Sequence, residues 1–458
     1  MKNFEGDGKI MNEQWINKVH QGHVLNILKQ MPSELVDCVI TSPPYRALRD
    51  YKTEPIVWDG KLDCEHEWEN IVSIHHKKND DINKIKFRMG NANIPKETNL
   101  CSKCSAWKGS LGLEPTFDLY IKHLCDIFDE VKRVMKKTGT LWVNLGDTYS
   151  GSQSTNSSVK STNQHMKDCY REDALNKETG LPSKSLCMIP YRFAIEMVNR
   201  GWILRNTIVW HKPNCMPSSA KDRFTVDFEY LFFFAKNKKY FFETQYEPFK
   251  SEPTKLRDKT NEGYGKAFLT PLGKGLRNGY EQGARNKRTV WTITTKGFSE
   301  SHFAVFPEEL VETPIKAGCP EFVCSKCGKA REKIIETTYE KIVESKPLKG
   351  GITSSSMNDG AGQKIGGLNN RKHGIGASFK ESGYSSCSCN APFNPGIVMD
   401  IFMGSGTTAK VAKDLKRDWI GIELNGDYVQ LVNERVAGFQ RSDWKAKKTH
   451  KTLKEMIK

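Results

Sequence analysis

The chain has 458 residues, which is enough for about three folding units or for one large core with insertions. Lysine and arginine outnumber aspartate and glutamate by 70 to 54, and this net charge of +16 favours a polyanionic partner. No apolar run reaches the roughly 18 residues of a membrane span, and the polar residues 1–10 do not form a signal peptide, so we expect a cytoplasmic protein. In that compartment we expect the 13 cysteines to be thiols or metal ligands.

A short apolar strand is predicted over residues 36–40, and it runs directly into Thr41-Ser42-Pro43-Pro44-Tyr45. Neither proline can donate to a sheet ladder, and Pro44 keeps Pro43 out of the helical region, so the strand must end here. We therefore predict a rigid, extended loop at the carboxyl end of a strand, which is where ligands bind in open α/β sheets. Cys38, inside this strand, is interpreted as a core residue.

A polar, Lys- and Asn-rich segment follows, and then regular structure returns. An amphipathic helix is predicted from Phe117 to Met135, with Gly139 as its stop, and a buried strand over residues 140–145 follows it. Residues 150–180 are rich in Ser, Asn and Lys, and we expect a mobile loop there. A second helix is predicted over residues 186–200, and strands over residues 202–210 and 228–235. Residues 245–289 are basic and glycine-rich, without a clear period.

The last part of the chain contains one βαβ unit around a glycine turn. A helix over residues 306–315 precedes a polar interruption; a strand then ends near Asp400 and Phe402, Gly404-Ser405-Gly406 turns, and a helix starts at Thr407. Glu423 ends the next strand, where an acid can bind both ribose hydroxyls of a nucleoside. The turn lacks the phosphate-binding and complete dinucleotide glycine patterns. A nucleoside cofactor without phosphates, S-adenosylmethionine, therefore fits best.

The Ser42–Tyr45 loop suits transfer to an exocyclic base amine. Such an amine is a poor nucleophile, and the Ser42 hydroxyl and the Pro43 carbonyl can accept its hydrogen bonds. Pro44 fixes the direction of the carbonyl, and Tyr45 offers a flat face to a flipped base. The alternative is a plain Pro-Pro turn with a surface tyrosine, and the glycine turn is the reason to favour function.

The two motifs, in this order, resemble the β-class DNA amino-methyltransferases of restriction–modification systems. Other segments agree with the resemblance: residues 140–147, 210–214, 217–218, 223–225, 290–291 and 302–307. The family implies an α/β, class I S-adenosylmethionine-dependent (Rossmann-like) sheet with permuted motif order, base flipping and double-stranded DNA as the partner. By position, cofactor binding is implied for Asp400, Phe402, Gly404, Ser405, Gly406, Thr407, Glu423, Phe306 and Pro307, and base binding for Ser42, Pro43, Pro44 and Tyr45.

The choice of base follows from the first position of the catalytic loop. In the family, Ser there is associated mainly with N4-cytosine enzymes, and Asp or Asn with N6-adenine enzymes. Ser42 therefore favours cytosine, with adenine as the alternative. No Pro-Cys pair is placed as a nucleophile for methylation of a ring carbon. The sequence does not reveal the recognised DNA site, a cognate endonuclease or the oligomeric state.

Two sets of cysteines have metal-ligand spacing. Cys324-Ser-Lys-Cys327 with Cys387-Ser-Cys389 resembles a zinc ribbon, and Cys64-Glu-His66 with Cys101-Ser-Lys-Cys104 offers a second site. The alternative for each set is reduced thiols in a loop. Both segments are too polar to fold on apolar burial alone, so a structural zinc ion makes physical sense. Four protein ligands leave no open position for catalysis.

These observations predict the domain organisation. The methyltransferase core occupies residues 12–59, 111–213 and 291–320, and the cofactor-binding βαβ unit occupies residues 396–440. The Cys/His insertions occupy residues 60–110 and 321–395, the target-recognition region 214–290, and a basic tail 441–458. Two other functions remain open: a non-catalytic zinc-dependent DNA-binding protein, and methylation of RNA or of a protein glutamine.

Overall fold

The computed structural model describes residues 13–46, 55–61, 63–71, 96–150, 181–182, 184–248, 284–295, 306–331, 333–343 and 373–438. The polar N-terminus, nearly all of the loop predicted over residues 150–180, most of the basic segment and the tail 441–458 lie outside the described residues. In the described part of the chain, no helix is long and apolar enough to cross a membrane.

In chain order the described elements are β1 (Lys18–Gln21), α1 (Val24–Gln30), β2 (Val36–Thr41), β3 (Ile56–Trp58), β4 (Trp68–Ile71), β5 (Lys96–Cys101), β6 (Trp107–Gly109), α2 (Phe117–Val134), β7 (Met135–Leu145), α3 (Ile189–Asn199), β8 (Ile203–His211), β9 (Phe228–Ala235), β10 (Tyr246–Pro248), β11 (Ala284–Asn286), β12 (Val290–Thr292), α4 (Glu308–Gly318), β13 (Phe322–Cys324), β14 (Lys333–Val343), β15 (His373–Tyr384), β16 (Phe393–Pro395), β17 (Ile397–Asp400), α5 (Thr407–Asp414), β18 (Asp418–Glu423) and α6 (Gly426–Val436).

Eight strands form the central sheet, in the order β1-β18-β17-β2-β7-β9-β8-β12. All neighbouring pairs are parallel except those of β9, which runs antiparallel to both β7 and β8. Because β17 and β2 are parallel neighbours, the motifs from opposite ends of the chain finish at the same edge of the sheet. This is the class I methyltransferase sheet with permuted motif order that the motifs led us to expect.

The sheet is buried on both faces, and β9 shows how the sequence achieves this. Its residues Leu231-Phe-Phe-Phe-Ala235 are all buried. Since successive side chains of a strand point to opposite faces, Phe232 and Phe234 join the core under α2 and α3, whereas Phe233 packs against Trp142 on the face of α4 and α5.

Two details of the predicted elements are wrong. The helix predicted to reach Met135 ends at Val134, and β7 begins at Met135 without an intervening turn. Gly139 is therefore not a helix stop but a residue of β7, where a Cβ atom would lie 3.2 Å from the Asp37 carbonyl of β2. Strand β1, which the sequence did not predict, extends the sheet beyond β18, with Gln21 opposite Glu423.

The first cysteine-containing insertion contributes β4, β5 and β6 to a four-stranded antiparallel sheet in the order β3-β6-β5-β4, and β3 lies just before the insertion in the chain. The buried Trp107 of the insertion and the buried Trp58 of β3 both stack on the His123 ring of α2, with ring centroids 5.6 and 4.6 Å away. The insertion thus has an apolar contact with the core, in addition to its polar exterior.

The chain divides into two compact units. The first contains residues 1–243, 288–322 and 394–458, and the second contains residues 244–287 and 323–393. In the second unit β10 pairs with β11 and β14 pairs with β15, both antiparallel. In the first unit the Gly396 amide donates to the Glu321 carbonyl at 3.4 Å, so the two ends of the insertion predicted over residues 321–395 are adjacent.

Candidate functional site

The catalytic loop begins where β2 ends, beside the end of β17. Thr41, the last residue of β2, donates a 2.7 Å hydrogen bond to the Asp400 carboxylate, and both side chains are buried. The structure therefore brings the loop at Ser42 and the strand leading to the glycine turn into direct contact, although 359 residues separate them in sequence.

A polar network holds the Tyr45 hydroxyl. This hydroxyl donates to Glu229 Oε2 at 2.8 Å and lies 3.0 Å from Asn144 Oδ1. Asn144 in turn donates to Glu229 Oε2 at 3.1 Å, and Lys212 forms an ion pair with the other oxygen of Glu229. Burial, and then the charge of Glu229, raise the pKa of Tyr45 well above its usual value, so the phenol stays protonated and acts as a donor.

The hydrogen bonds of Ser42 and the prolines orient the acceptors of the loop. The Ser42 hydroxyl donates towards Asn144 Oδ1 at 3.4 Å, which leaves its lone pairs available to accept. The Pro44 carbonyl accepts a 2.8 Å hydrogen bond from the Tyr120 hydroxyl of α2. Gly146 lies directly against the Tyr45 ring: a Cβ atom added there would be only 2.6 Å from the ring. The ring is thus fixed from the side and at its hydroxyl.

The glycine turn has the conformation that the sequence requires. Gly404 and Gly406 have φ angles of 51° and 80°, values that favour glycine, and Gly406 caps the start of α5. The Gly404 amide donates to Glu423 Oε2 at 2.7 Å, and the Asn425 amide donates to Oε1 at 2.9 Å. Glu423 is thereby aimed at the turn, and each oxygen keeps a lone pair for a ligand hydroxyl.

Asp400 is fully buried, and its carboxylate is already engaged. Oδ1 accepts from Thr41 and from the Phe402 amide at 3.0 Å, and Oδ2 accepts from Thr408 at 2.7 Å. Burial raises the pKa of Asp400 to about 6, against the opposing effect of these hydrogen bonds. In this arrangement Asp400 positions the turn and the end of β2 relative to one another.

Arg435 of α6 fastens the start of α5 to the start of α4. One guanidinium nitrogen donates to the Ser405 carbonyl and hydroxyl and to the Thr407 hydroxyl, and the other donates to Glu308 at 2.9 Å. Pro307 is buried and caps α4 just before Glu308. Phe306 and Pro307 thus precede a residue that Arg435 links directly to the glycine turn.

Sequence reasoning missed the side chains that support these motifs. Asn144 lies in β7, Glu229 lies in β9 and Lys212 directly follows β8, so they meet only because β9 pairs with both β7 and β8. Thr408 and Arg435 hold the glycine turn. A signal did exist for one of them: Asn144 is the single polar residue in the buried run Leu141–Leu145, and a polar residue there needs a partner.

The first cysteine set converges on a point in the first unit. The ligand atoms of Cys64, His66, Cys101 and Cys104 all lie within 4.8 Å of one another. The Cys64 and Cys101 sulfurs are 3.9 Å apart, close to the roughly 3.8 Å between thiolates around tetrahedral zinc. Burial raises the pKa of Cys101, but hydrogen bonds from His66 and from backbone amides outweigh it and lower that pKa to about 6.

The second set forms the same kind of cluster in the second unit. The sulfurs of Cys324, Cys327, Cys387 and Cys389 lie within 4.8 Å of one another. Backbone amides of Cys327 and Lys326 lower the pKa of Cys324 to about 6. Both clusters use a Cys-Ser-Lys-Cys turn, followed by a residue with positive φ, Ser105 or Gly328. The donor sets fit zinc in each case.

Comparisons with known proteins identify the family of this chain. The family model described as DNA methylase (N6_N4_Mtase) matches residues 36–326 and 387–434. The Type II methyltransferase M.SmaI of Serratia marcescens is 27% identical over 419 residues, which cover 92% of this chain and 90% of that protein. M.XycI of Xanthomonas campestris pv. cyanopsidis is 28% identical, with coverage of 91% and 87%. The solved structure of the PvuII DNA methyltransferase (cytosine-N4-specific) aligns with a TM-score of 0.43 and 14% identity, over 93% of this chain and 90% of that one.

The sheet, the catalytic loop and the glycine turn define a class I methyltransferase. The family match covers most of the chain, and the chain belongs to the N6/N4 family of DNA methylases. It is an S-adenosylmethionine-dependent DNA amino-methyltransferase, which confirms the resemblance stated from its motifs.

Proposed function

We propose that this enzyme methylates the exocyclic N4 of a flipped cytosine within a specific site of double-stranded DNA. The observation that carries the choice of cytosine is Ser42 at the first position of the catalytic loop. Its hydroxyl donates towards Asn144, which turns the oxygen lone pairs outward as neutral acceptors for an amino group.

The loop would act by hydrogen bonding and alignment. The Ser42 oxygen and the Pro43 carbonyl accept hydrogen bonds from the amine, which raises the electron density on its nitrogen. The Tyr45 ring, held at its hydroxyl by Glu229 and Asn144, provides the flat surface for the base. Transfer then depends on alignment more than on a strong base. The protonated Tyr45 takes no part as a proton acceptor.

The glycine turn fits S-adenosylmethionine. Gly404 and Gly406 let a ligand approach the backbone, and Glu423 has lone pairs for ribose hydroxyls. Phe402, Ser405, Thr407, Phe306 and Pro307 would surround it, and Asp400 would hold the turn in place. When bound, S-adenosylmethionine supplies an electrophilic methyl group.

The enzyme would serve as the modification partner of a restriction system. M.SmaI and M.XycI carry the name Type II methyltransferase, and the matches cover about nine-tenths of each chain. Residues 214–290 would contain the target-recognition region, and the net charge of +16 suits a DNA backbone. A cognate endonuclease would then cut the same site when it is unmethylated.

Each cysteine cluster would hold one structural zinc ion. The convergence of four ligand atoms within 4.8 Å supports this proposal in both units. Zinc at each site is fully coordinated by protein, so it would stabilise the polar insertion and take no part in methyl transfer.

The test is methyl transfer from labelled S-adenosylmethionine to unmethylated DNA, followed by digestion to nucleosides. We expect label in N4-methylcytosine. Label in N6-methyladenine would overturn the choice of base and leave the family intact, because the loop contacts an amino group common to both bases. Transfer to RNA or protein but not to DNA would overturn the proposed substrate.

Two variants assign the transfer to the loop. Ser42→Ala and Tyr45→Ala should lower turnover by about a hundred-fold, while the affinity for S-adenosylmethionine changes little. Ser382→Ala, on β15 of the second unit, is the matched control. Normal turnover in both loop variants would show that the loop does not hold the base.

A further inference from the structure

Among the described residues, the two most exposed large apolar side chains lie in one loop, residues 212–227 between β8 and β9. Phe224 is 96% exposed and Met216 is 89% exposed. In the described part of the chain, the next most exposed large apolar side chains, Ile195 and Val290, are each 62% exposed. Covering such side chains removes apolar surface from water, which is favourable, so this loop is suited to a partner surface.

The loop has a defined structure despite its exposure. Its ends are closed by a 2.7 Å hydrogen bond from the Lys212 amide to the Asp227 carbonyl. Asn214 exchanges hydrogen bonds with Thr295 at 2.9 and 3.0 Å, which fixes the outgoing arm. The Thr225 hydroxyl accepts from the Ser218 amide at 3.4 Å and joins the two arms. The apolar tip is therefore presented by a braced loop.

The base of this loop is part of the catalytic network. Lys212, at one end, forms the ion pair with Glu229, just beyond the other end, and Glu229 accepts the hydrogen bond of the catalytic Tyr45. The Arg223 guanidinium stacks on the Tyr149 ring, 3.6 Å from its centroid, four residues beyond the end of β7. The loop thus rises from the same edge of the sheet as the Ser42–Tyr45 loop.

The charge around Phe224 suits a nucleic acid. Lys221 and Arg223 lie within three residues of Phe224, and both are exposed; the charge of Asp222 between them is paired with Lys184 at 3.1 Å. Basic side chains contact phosphates, and apolar side chains such as Phe and Met insert between base steps when a protein unstacks a duplex. An enzyme that flips a base must unstack and unpair it, and the space left in the duplex then needs an occupant.

We propose that Phe224 is the wedge residue of this enzyme: its ring enters the duplex at the target base pair and fills the place of the flipped base. The inference rests on the proposed transfer to a base in double-stranded DNA. Met216 would cover the neighbouring surface. The Lys212–Glu229 pair would link insertion of the wedge to the Tyr45 ring, which receives the base.

The experiment compares single-turnover methylation of two unmethylated duplexes. Both carry a sequence that the wild-type enzyme methylates. One duplex is fully paired, and the other has a mismatch opposite the target base, which lowers the cost of flipping. Phe224→Ala should slow transfer on the paired duplex by about ten-fold or more and should lose much of that defect on the mismatched duplex. Its affinity for S-adenosylmethionine should equal that of the wild type.

The control is Ile195→Ala, which removes an exposed apolar side chain from α3 and should leave both rates unchanged. Equal rates for Phe224→Ala and wild type, or an equal loss on both duplexes, would overturn the wedge. A mismatch-rescued defect in Met216→Ala but not in Phe224→Ala would also overturn the assignment to Phe224. Absence of transfer by the wild type on every DNA would instead contradict the proposed function.

Discussion

Glu229 is the side chain on which the support of the catalytic loop converges. It accepts from Tyr45 and Asn144 on one oxygen and pairs with Lys212 on the other. A carboxylate that is largely removed from water is tolerated only when its lone pairs are used and its charge is paired. The three partners satisfy both conditions, and in return Glu229 fixes the Tyr45 ring, on which the proposed function places the base.

We expect Glu229→Gln to lower kcat by about ten-fold, with a smaller effect on KM for DNA, because a misplaced Tyr45 misaligns the bound base. The amide keeps the size of the side chain but loses the charge that pairs with Lys212. Steady-state kinetics on unmethylated DNA that carries a site methylated by the wild type tests this, and Glu312→Gln, which only breaks a surface ion pair on α4, is the control. An unchanged kcat would show that Tyr45 is held by packing alone.

Asp400 gives the protein a specific dependence of stability on pH. Its pKa is about 6 in the folded chain, against an ordinary value of 3.8, so the folded state binds the proton more tightly than the unfolded state. Stability therefore falls as the pH rises from about 4 to about 6, by about 3 kcal/mol in total from this group.

Asp400→Asn should remove that dependence. Urea unfolding of both proteins between pH 4 and pH 8 measures it, and the difference in stability between wild type and variant should change in favour of the variant as the pH rises through this window. Parallel pH profiles would mean that Asp400 stays ionised in the folded protein at pH 4.

At the scale of elements, α2 and the segment before it position the catalytic loop. The Tyr120 hydroxyl donates to the Pro44 carbonyl, and Arg46 donates to the Pro115 carbonyl at 3.2 Å. Gly112 packs closely on the loop, since a Cβ atom added there would lie 3.2 Å from the Tyr45 carbonyl. The Gly112 amide donates to the buried carboxylate of Glu114 at 2.8 Å. This segment therefore packs behind the catalytic loop and supports it.

His123 connects this supporting segment before α2 to the first insertion. One ring nitrogen lies 3.1 Å from Glu114 and the other lies 3.2 Å from Asp59, while Trp58 and Trp107 stack on the ring. His123→Phe would keep the stacking and remove both polar contacts, which leaves Glu114 without one of its partners.

We expect His123→Phe and Glu114→Ala to lower kcat about ten-fold and Glu114→Gln to retain most activity, because the glutamine carbonyl can still accept from Gly112. Cys125→Ala, at another buried position of the same helix, is the control for general loosening of the core. A loss of activity that only follows the loss of thermal stability across all four variants would argue against a positioning role.

The sequence predicted the elements whose signal is local. The period of α2, the prolines after β2 and the glycines between β17 and α5 each determine a structure within a few residues. Strand β1 could not be predicted in this way, because Lys18-Val-His-Gln21 is short and mostly polar and is extended only through its pairing with β18. Gly139 misled because it resembles a helix stop but lies inside β7, where an added Cβ atom would come within 3.0 Å of the Lys136 carbonyl and 3.2 Å of the Asp37 carbonyl of β2.

The candidate site likewise contains residues that a local motif predicts and residues that only the tertiary structure brings together. Ser42–Tyr45 and Gly404–Gly406 are visible as motifs, whereas Asn144 and Glu229 gain their meaning from the order of strands in the sheet. Asp400 was predicted as a cofactor ligand, and that role stays a prediction; its contacts in the structure add a positioning role that no spacing could indicate.

At the scale of the whole molecule, each compact unit contains one cysteine cluster, and the two clusters should be independent. Cys101 belongs to the insertion that stacks on His123 in the first unit, and Cys327 belongs to the second unit. Structural zinc contributes folding free energy directly to the segment that it holds. Loss of the first ion should therefore disturb the segment behind the catalytic loop, and loss of the second should disturb only the second unit.

We expect the wild-type protein to release about two zinc ions per chain on denaturation, and Cys101→Ser and Cys327→Ser to release about one each. Cys215→Ser, at a cysteine outside both clusters, should still release two.

Cys101→Ser should lower the Tm of the catalytic unit and slow methyl transfer, whereas Cys327→Ser should keep the wild-type affinity for S-adenosylmethionine, because the cofactor turn lies wholly in the first unit. Metal content by elemental analysis, together with titration of the cofactor, decides the matter. A wild-type protein without zinc would identify the clusters as reduced thiols, and loss of both ions from either variant would show that the two clusters depend on each other.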